Sequence, residues 1–157
     1  MAITLPTQSS IIIVTDVEIE LDTSGNADFA ATDNIQCAVT ALAFSSGDIA
    51  INSLNALCGD VFVVGQNRNP RVLDMTGIYN DPGGVTDTLF QKLYDIFKDD
   101  STTTKQNIGV RIHYKGDAST FDYIDMIGFL NQVLPPGLPE GTFTFQLTGD
   151  DSLGTTV

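Results

Sequence analysis

Hydrophobic and polar residues alternate along most of this chain, the two-residue period of strands that bury one face. Between Ser10 and Leu21 the acids Asp16, Glu18 and Glu20 interleave with Val17, Ile19 and Leu21. One face of that strand is carboxylate and the other suits a core. Asp22-Thr23-Ser24-Gly25-Asn26 supplies turn residues, and the polar stretch to Asn34 reads as a loop. A second strand is expected at Ile35 to Phe44. Ile49 to Val64 reads as a short strand, a turn at Cys58-Gly59-Asp60 and a strand from Val61 to Val64. Gly65 to Pro70 reads as a loop, and Arg71 to Tyr79 resumes the alternation until Asn80-Asp81-Pro82-Gly83-Gly84 stops it.

The period then changes. Leu89, Phe90, Leu93, Tyr94, Ile96 and Phe97 recur every three or four residues, which predicts a helix from about Thr86 to Lys98 with Thr86 or Thr88 as N-cap. Its apolar stripe needs a sheet to cover, with Leu89, Leu93 and Phe97 the expected structural core. Three strands follow: Ile108 to Tyr114, Tyr123 to Leu130, and, after the break at Pro135-Pro136-Gly137-Leu138-Pro139, Phe143 to Leu147. Seven or eight strands and one helix predict a mostly β fold, a β-sandwich or partly closed barrel with the helix over one face or end.

A chain of 157 residues fits a single domain spanning 1–157. The N-terminal arm 1–9 and the C-terminal tail 149–157 are expected to be mobile. With the loops Asp22 to Asn34 and Ser45 to Asn55, they are expected to order only in an assembly. The N-terminus lacks the basic and apolar regions of a secretory signal, and no run approaches the roughly 20 apolar residues of a membrane span. Assembly in a host cytoplasm, with no membrane partner, is the expectation.

Net charge changes the picture most: −13, from 20 acids, nearly all Asp, against 7 Lys plus Arg. Nucleic-acid binders neutralise phosphate with basic patches, whereas here Arg68, Arg71, Arg111 and the lysines are scattered singly. Catalytic chemistry finds little footing. His113 is the only histidine, on the polar face of a strand between Arg111 and Lys115, and neither a nucleophile elbow nor a phosphate-binding glycine motif is present. Cys37 and Cys58 match no zinc or redox spacing, and Cys37 reads as a small buried hydrophobe in the Ile35 strand. Asp22 to Asp33 places oxygens at calcium-loop positions, but Ala27 stands where such a loop needs glycine and Asp33 where it needs glutamate. No enzyme, cofactor or metal is expected.

Across most of its length the chain resembles the major tail tube proteins of long-tailed, non-contractile (siphovirus-like) phages or viruses. The likeness runs through Leu57-Cys58-Gly59, Val63-Val64-Gly65, Met75-Thr76-Gly77-Ile78 and Asp81-Pro82-Gly83-Gly84 ahead of the helix. Val110-Arg111-Ile112-His113-Tyr114, Ile127-Gly128-Phe129 and the closing Thr142 to Gly149 continue it. Contractile-tail tube subunits share that texture. The resemblance implies a virion tail component that forms hexameric rings. These rings stack into a tube, a genome-delivery conduit to which each subunit gives strands for a continuous inner barrel. Its implied partners are copies of itself and other tail proteins at the tube ends, with DNA passing through without specific binding. Asp16, Glu18 and Glu20 are the first candidates for lumen-lining acids, because a carboxylate wall offers DNA no site for exchanging its counterions. The alternatives are a capsid decoration or fibre-type binding module and, on the Asp22 loop alone, a calcium-dependent carbohydrate-binding protein.

Overall fold

The computed structural model describes residues 17–56, 59–79, 88–99, 107–114, 122–137 and 141–155, with the backbone alone for 49–56 and 59–67. The elements are β1 (Val17–Gly25), β2 (Asp33–Asn34), a 3-10 turn (Gln36–Ala38), β3 (Val39–Ser46), β4 (Ile49–Ala56), β5 (Gly59–Arg68), β6 (Arg71–Ile78), α1 (Leu89–Lys98), β7 (Asn107–Tyr114), β8 (Asp122–Leu134) and β9 (Thr142–Thr155). The chain is mostly antiparallel β with one helix. One open sheet runs in the order β2-β1-β7-β8-β9-β6-β3, and among the described residues β4 and β5 pair only with each other.

The two longest strands organise this sheet. β7 reaches only the Asp122–Gly128 part of β8, and β6 only the Thr142–Gly149 part of β9. The sheet is therefore two halves sharing one long hairpin. The near half is β2, β1, β7, the first part of β8 and the last part of β9. The far half is the rest of β8 and β9 with β6 and β3. They join where Gly128 pairs with Gly149. A Cβ on Gly128 would collide with the Thr148 carbonyl, and one on Gly149 with the Ile127 carbonyl. Only glycine lets these backbones approach so closely.

The alternation places apolar residues in rows across one face. Ile19, Ile112 and Ile124 align, as do Leu21, Val110 and Met126 in the near half. In the far half Leu130, Leu147, Leu73 and Phe44 align, and so do Val133, Phe145, Met75 and Leu42. Both halves feed one hydrophobic cluster. Helix α1 closes it. Thr88 caps the helix, its hydroxyl accepting from the Gln91 N–H at 3.3 Å. Leu93 is fully buried, with Leu89 and Phe97 partly buried against the same cluster. The Phe90 ring meets Phe143 edge-on at 5.1 Å and Tyr79 at 5.4 Å. Burying the Leu93 side chain stabilises the fold by about 2 kcal/mol.

Several expectations shift. The strand expected from Ile35 begins only at Val39, because Gln36–Ala38 turns as a 3-10 helix, its entry set by Asn34 Oδ1 accepting the Gln36 N–H. Cys37 is consequently exposed on that turn rather than buried in a strand. The short strand expected at the start of Ile49 to Val64 is Ile49–Ala56, which fills most of the Ser45 to Asn55 segment expected to order only in an assembly, and β5 runs on through Arg68 into the stretch read as a loop. The tail expected from Gly149 forms the second part of β9, paired with β8 as far as Thr155. Asp16, Cys58, Thr86 and the arm 1–9 lie outside the described residues.

Candidate functional site

The face of the sheet turned away from the core differs between the halves. In the near half the polar residues of β1, β7 and β8 form one connected network. Glu20, Arg111 and Asp125 stand side by side on three successive strands. Arg111 grips Asp125 with two hydrogen bonds, at 2.7 and 2.8 Å. Its guanidinium lies between the Phe29 ring at 4.3 Å and the Tyr123 ring at 4.5 Å. This is the planar, doubly bonded geometry for which arginine is suited and lysine is not. Glu20 accepts from Thr32 Oγ1 at 3.1 Å and lies 2.6 Å from His113 Nε2. Burial raises its pKa, but the His113 and Thr32 hydrogen bonds and the charges of His113 and Arg111 prevail and hold it below the usual glutamate value. Glu18 accepts from Asn34 Nδ2 at 2.9 Å.

The loop after β1 is built to cover this network. Asp22, fully buried, turns its carboxylate onto the backbone N–H groups of Ser24 and Phe29, each at 2.8 Å. Burial pushes its pKa up, and hydrogen bonds from Ser24, Phe29 and Asp28 more than reverse this, leaving it lowered. The first acid of the calcium-like loop is thus committed to amides. Among the described residues no three His, Cys, Asp or Glu side chains converge as a metal would need. The clamp holds Ala27 and Phe29 at φ of 50° and 57°, a region unfavourable for residues with a side chain. Its effect is to lay Phe29 over Gly109, where the ring occupies the space a Cβ would take, and over Arg111.

The far half is the opposite. Phe129 to Leu134, Thr142 to Thr148, Val72 to Ile78 and β3 contain a single charge, Asp74. Its carboxylate accepts from Gln146 Nε2 at 2.6 Å, and Gln146 Oε1 in turn accepts from Asn131. Around it stand Thr144, Thr76 and Ala43, with Ile78, Phe129 and Leu134 each about two-fifths exposed (38%, 42% and 45%). Among the described residues nothing pairs with the outer edge of β3, or with Phe129–Leu134 on the side away from β9. Neither edge carries a charge or a proline, the usual devices that prevent a second chain from adding a strand.

Of the sequence-derived site residues, the structure places Glu18 and Glu20 on the same face of β1, both hydrogen bonded within the chain. Sequence reasoning missed the Phe29–Arg111–Tyr123 stack, because its parts lie on three elements. Which strands stand as the uncharged edges was not legible either, since that depends on strand order. No helix among the described residues is long and apolar enough to cross a membrane.

No protein-family model matches the sequence, and no curated protein matches it. Solved structures do. The cap that terminates the tube of an anti-feeding prophage is 13% identical with a TM-score of 0.62, covering 99% of this chain and 95% of that one. The sheath/tube terminator of an extracellular contractile injection system is 14% identical with a TM-score of 0.62, covering 99% and 100%. The tail of an empty gene transfer agent particle, refined with C6 symmetry, is 14% identical with a TM-score of 0.56, covering 92% and 98%. The chain therefore has the fold of tail-associated subunits of phage-like particles, contractile systems included, so the fold does not single out the non-contractile tubes that the sequence resembles.

Proposed function

We propose that this chain is a structural, non-enzymatic component of a phage-like tail that assembles with copies of itself into rings, and that the rings stack as a tube. The observation that carries this reading is the pair of uncharged edges on opposite sides of the far half, unpaired among the described residues. β8, β9, β6 and β3 alternate in direction, so β3 of one copy and the Phe129–Leu134 segment of the next meet antiparallel. Repeating that contact continues the ladder around a circle and leaves no edge open. Six copies is the number we favour, by analogy with the sixfold tail of the gene transfer agent. The −13 charge favours the same contact, since copies approaching through other faces bring carboxylates together.

Two faces compete for the channel wall. The far half would present Thr144, Thr76, Gln146 and the single carboxylate Asp74. The near half would present Glu18 and Glu20, already engaged by Asn34, Thr32 and His113. Either wall lacks the basic side chains that would hold passing DNA. At the tube ends other tail proteins would take the place of a further ring, and the nearness of the fold to terminator subunits makes a capping role the second reading.

Electron microscopy of the purified chain tests the proposal. Rings or tubes are expected, with single rings that do not stack under the capping reading. Ala43→Lys on the β3 edge, or Gln132→Lys on the β8 edge, should abolish rings while leaving the fold intact. A wild-type chain that stays monomeric at high concentration and high salt would overturn the reading, and so would unaltered rings from both variants.

A further inference from the structure

The β4–β5 hairpin is the far half's other anomaly. Ser46 pairs with Arg71 at the end of the β3–β6 ladder, and after a two-residue break on each side Ile49 pairs with Arg68. The hairpin thus continues β3 and β6 beyond the sheet, an arm of about 25 Å at the usual rise per strand residue. Among the described residues it gains no third strand. Two-stranded ribbons are marginal in water unless something anchors them.

The anchor lies at the break. Ser46 and Gly47 both have left-handed backbones, at φ of 60° and 82°. Two arginines close over them. Arg71 donates to the Ser46 carbonyl at 3.1 Å and Arg68 to the Gly47 carbonyl at 3.2 Å. The Arg71 guanidinium lies against Gly47, where a Cβ would crowd it at 3.0 Å. Between them, Asp151 accepts from Arg68 at 3.2 Å and from Arg71 at 3.2 and 3.4 Å. Asp151 belongs to the part of β9 that runs past the start of β6. Its side chain is 17% exposed, so water screens this contact less than an open surface pair. Without it two guanidiniums would face each other.

We propose that Asp151 is a latch, reaching from the last part of β9 to fix the direction in which the β4–β5 hairpin leaves the sheet. Asp151 is a positioning residue, acting through Arg68 and Arg71.

Hydrogen exchange on the full-length chain, kept dilute enough to be monomeric, tests the latch. In Asp151→Asn the amides of β4 and β5 should exchange roughly ten-fold faster, with protection of β7 and of Phe143–Leu147 unchanged. Asp151→Glu should restore most of that protection. Unchanged exchange in the arm overturns the latch, as does a uniform rise across the sheet, which would mark a general loss of stability.

Discussion

The two halves of the sheet share a core and a hairpin yet use their other face in opposite ways. The near half gathers charge and satisfies it internally: Arg111 with Asp125, His113 with Glu20, and Asp22 with two backbone amides beneath its own loop. The far half leaves its face almost free of charge and, among the described residues, its two edges unblocked. On a chain of net charge −13 such a division has a consequence. Charges that already have partners inside the subunit make poor docking contacts, since a partner must first displace those bonds. A neutral face with open backbone groups can accept a neighbour without that cost. The near half is a finished surface and the far half an unfinished one.

The seam between the halves is where the comparison breaks most completely. Gly149→Ala places a methyl group into the Ile127 carbonyl, and backbone on the neighbouring strand has no room to retreat. The expected loss is about 4 kcal/mol or more, measured as the urea midpoint, or failure to fold. Leu93→Ala empties a fully buried site beneath α1 and should cost about 2–5 kcal/mol in the same measurement, reducing assembly through instability alone. A variant with an unchanged midpoint would show that the helix does not support the far half. Next, Arg111→Ala removes the doubly bonded partner of Asp125 and the filling between Phe29 and Tyr123. A loss of about 2–3 kcal/mol is expected for this partly buried pair, with Arg111→Lys recovering less than half. Full recovery by lysine would mean that charge alone matters there.

How much of this was legible beforehand follows from the range of the interactions. The helix, its cap at Thr88 and its buried Leu93 depend on neighbours three or four residues apart, and the periodicity displays them. The strands of the core were visible by alternation, because a strand with one buried face writes its own pattern. The last part of β9 was not. Asp150, Asp151 and Ser152 look like a polar tail, and they are held as strand by β8 and by two arginines some 80 positions earlier in the sequence. Cys37 was misplaced for a local reason, since Asn34 starts a turn that the apolar alternation overrode on paper. The near-half network was hidden because Glu20, Thr32, Arg111 and Asp125 come together only once strand order is known. Strand order depends on pairings that leave no local trace.

Acid sharpens the contrast at a smaller scale. Asp22 and Glu20 both have pKa values below those of ordinary carboxylates, so the unfolded chain binds protons to them more readily than the folded one. Their contribution is complete above the unfolded values, near 4, and is lost as pH falls through the lowered folded values. Stability should therefore decline below about pH 5, and Asp22→Asn should both lower it at neutral pH and flatten that decline. A variant whose acid profile parallels the wild type would show that the loop clamp adds nothing.

The smallest effect on stability tests the far half itself. Thr144 is exposed on its neutral face, level with Thr76 on one neighbouring strand and Leu134 on the other. Thr144→Lys removes no buried contact, so the melting temperature should move by no more than a surface change allows, about 0.5 kcal/mol in stability. Asp122→Lys on the near half gives up only an exposed hydrogen bond from Thr155, so it too should change stability little. Their effects on assembled material should differ. If the far face lines a channel, Thr144→Lys puts one ammonium per copy on the wall, and assembled tubes should retain added DNA at low salt and release it at high salt. If the far face instead packs against a neighbour, the same lysine buries an unpaired charge and rings should fail to form. Tubes that form normally and retain no more DNA than the wild type would remove Thr144 from both roles and return the choice of wall to Glu18 and Glu20.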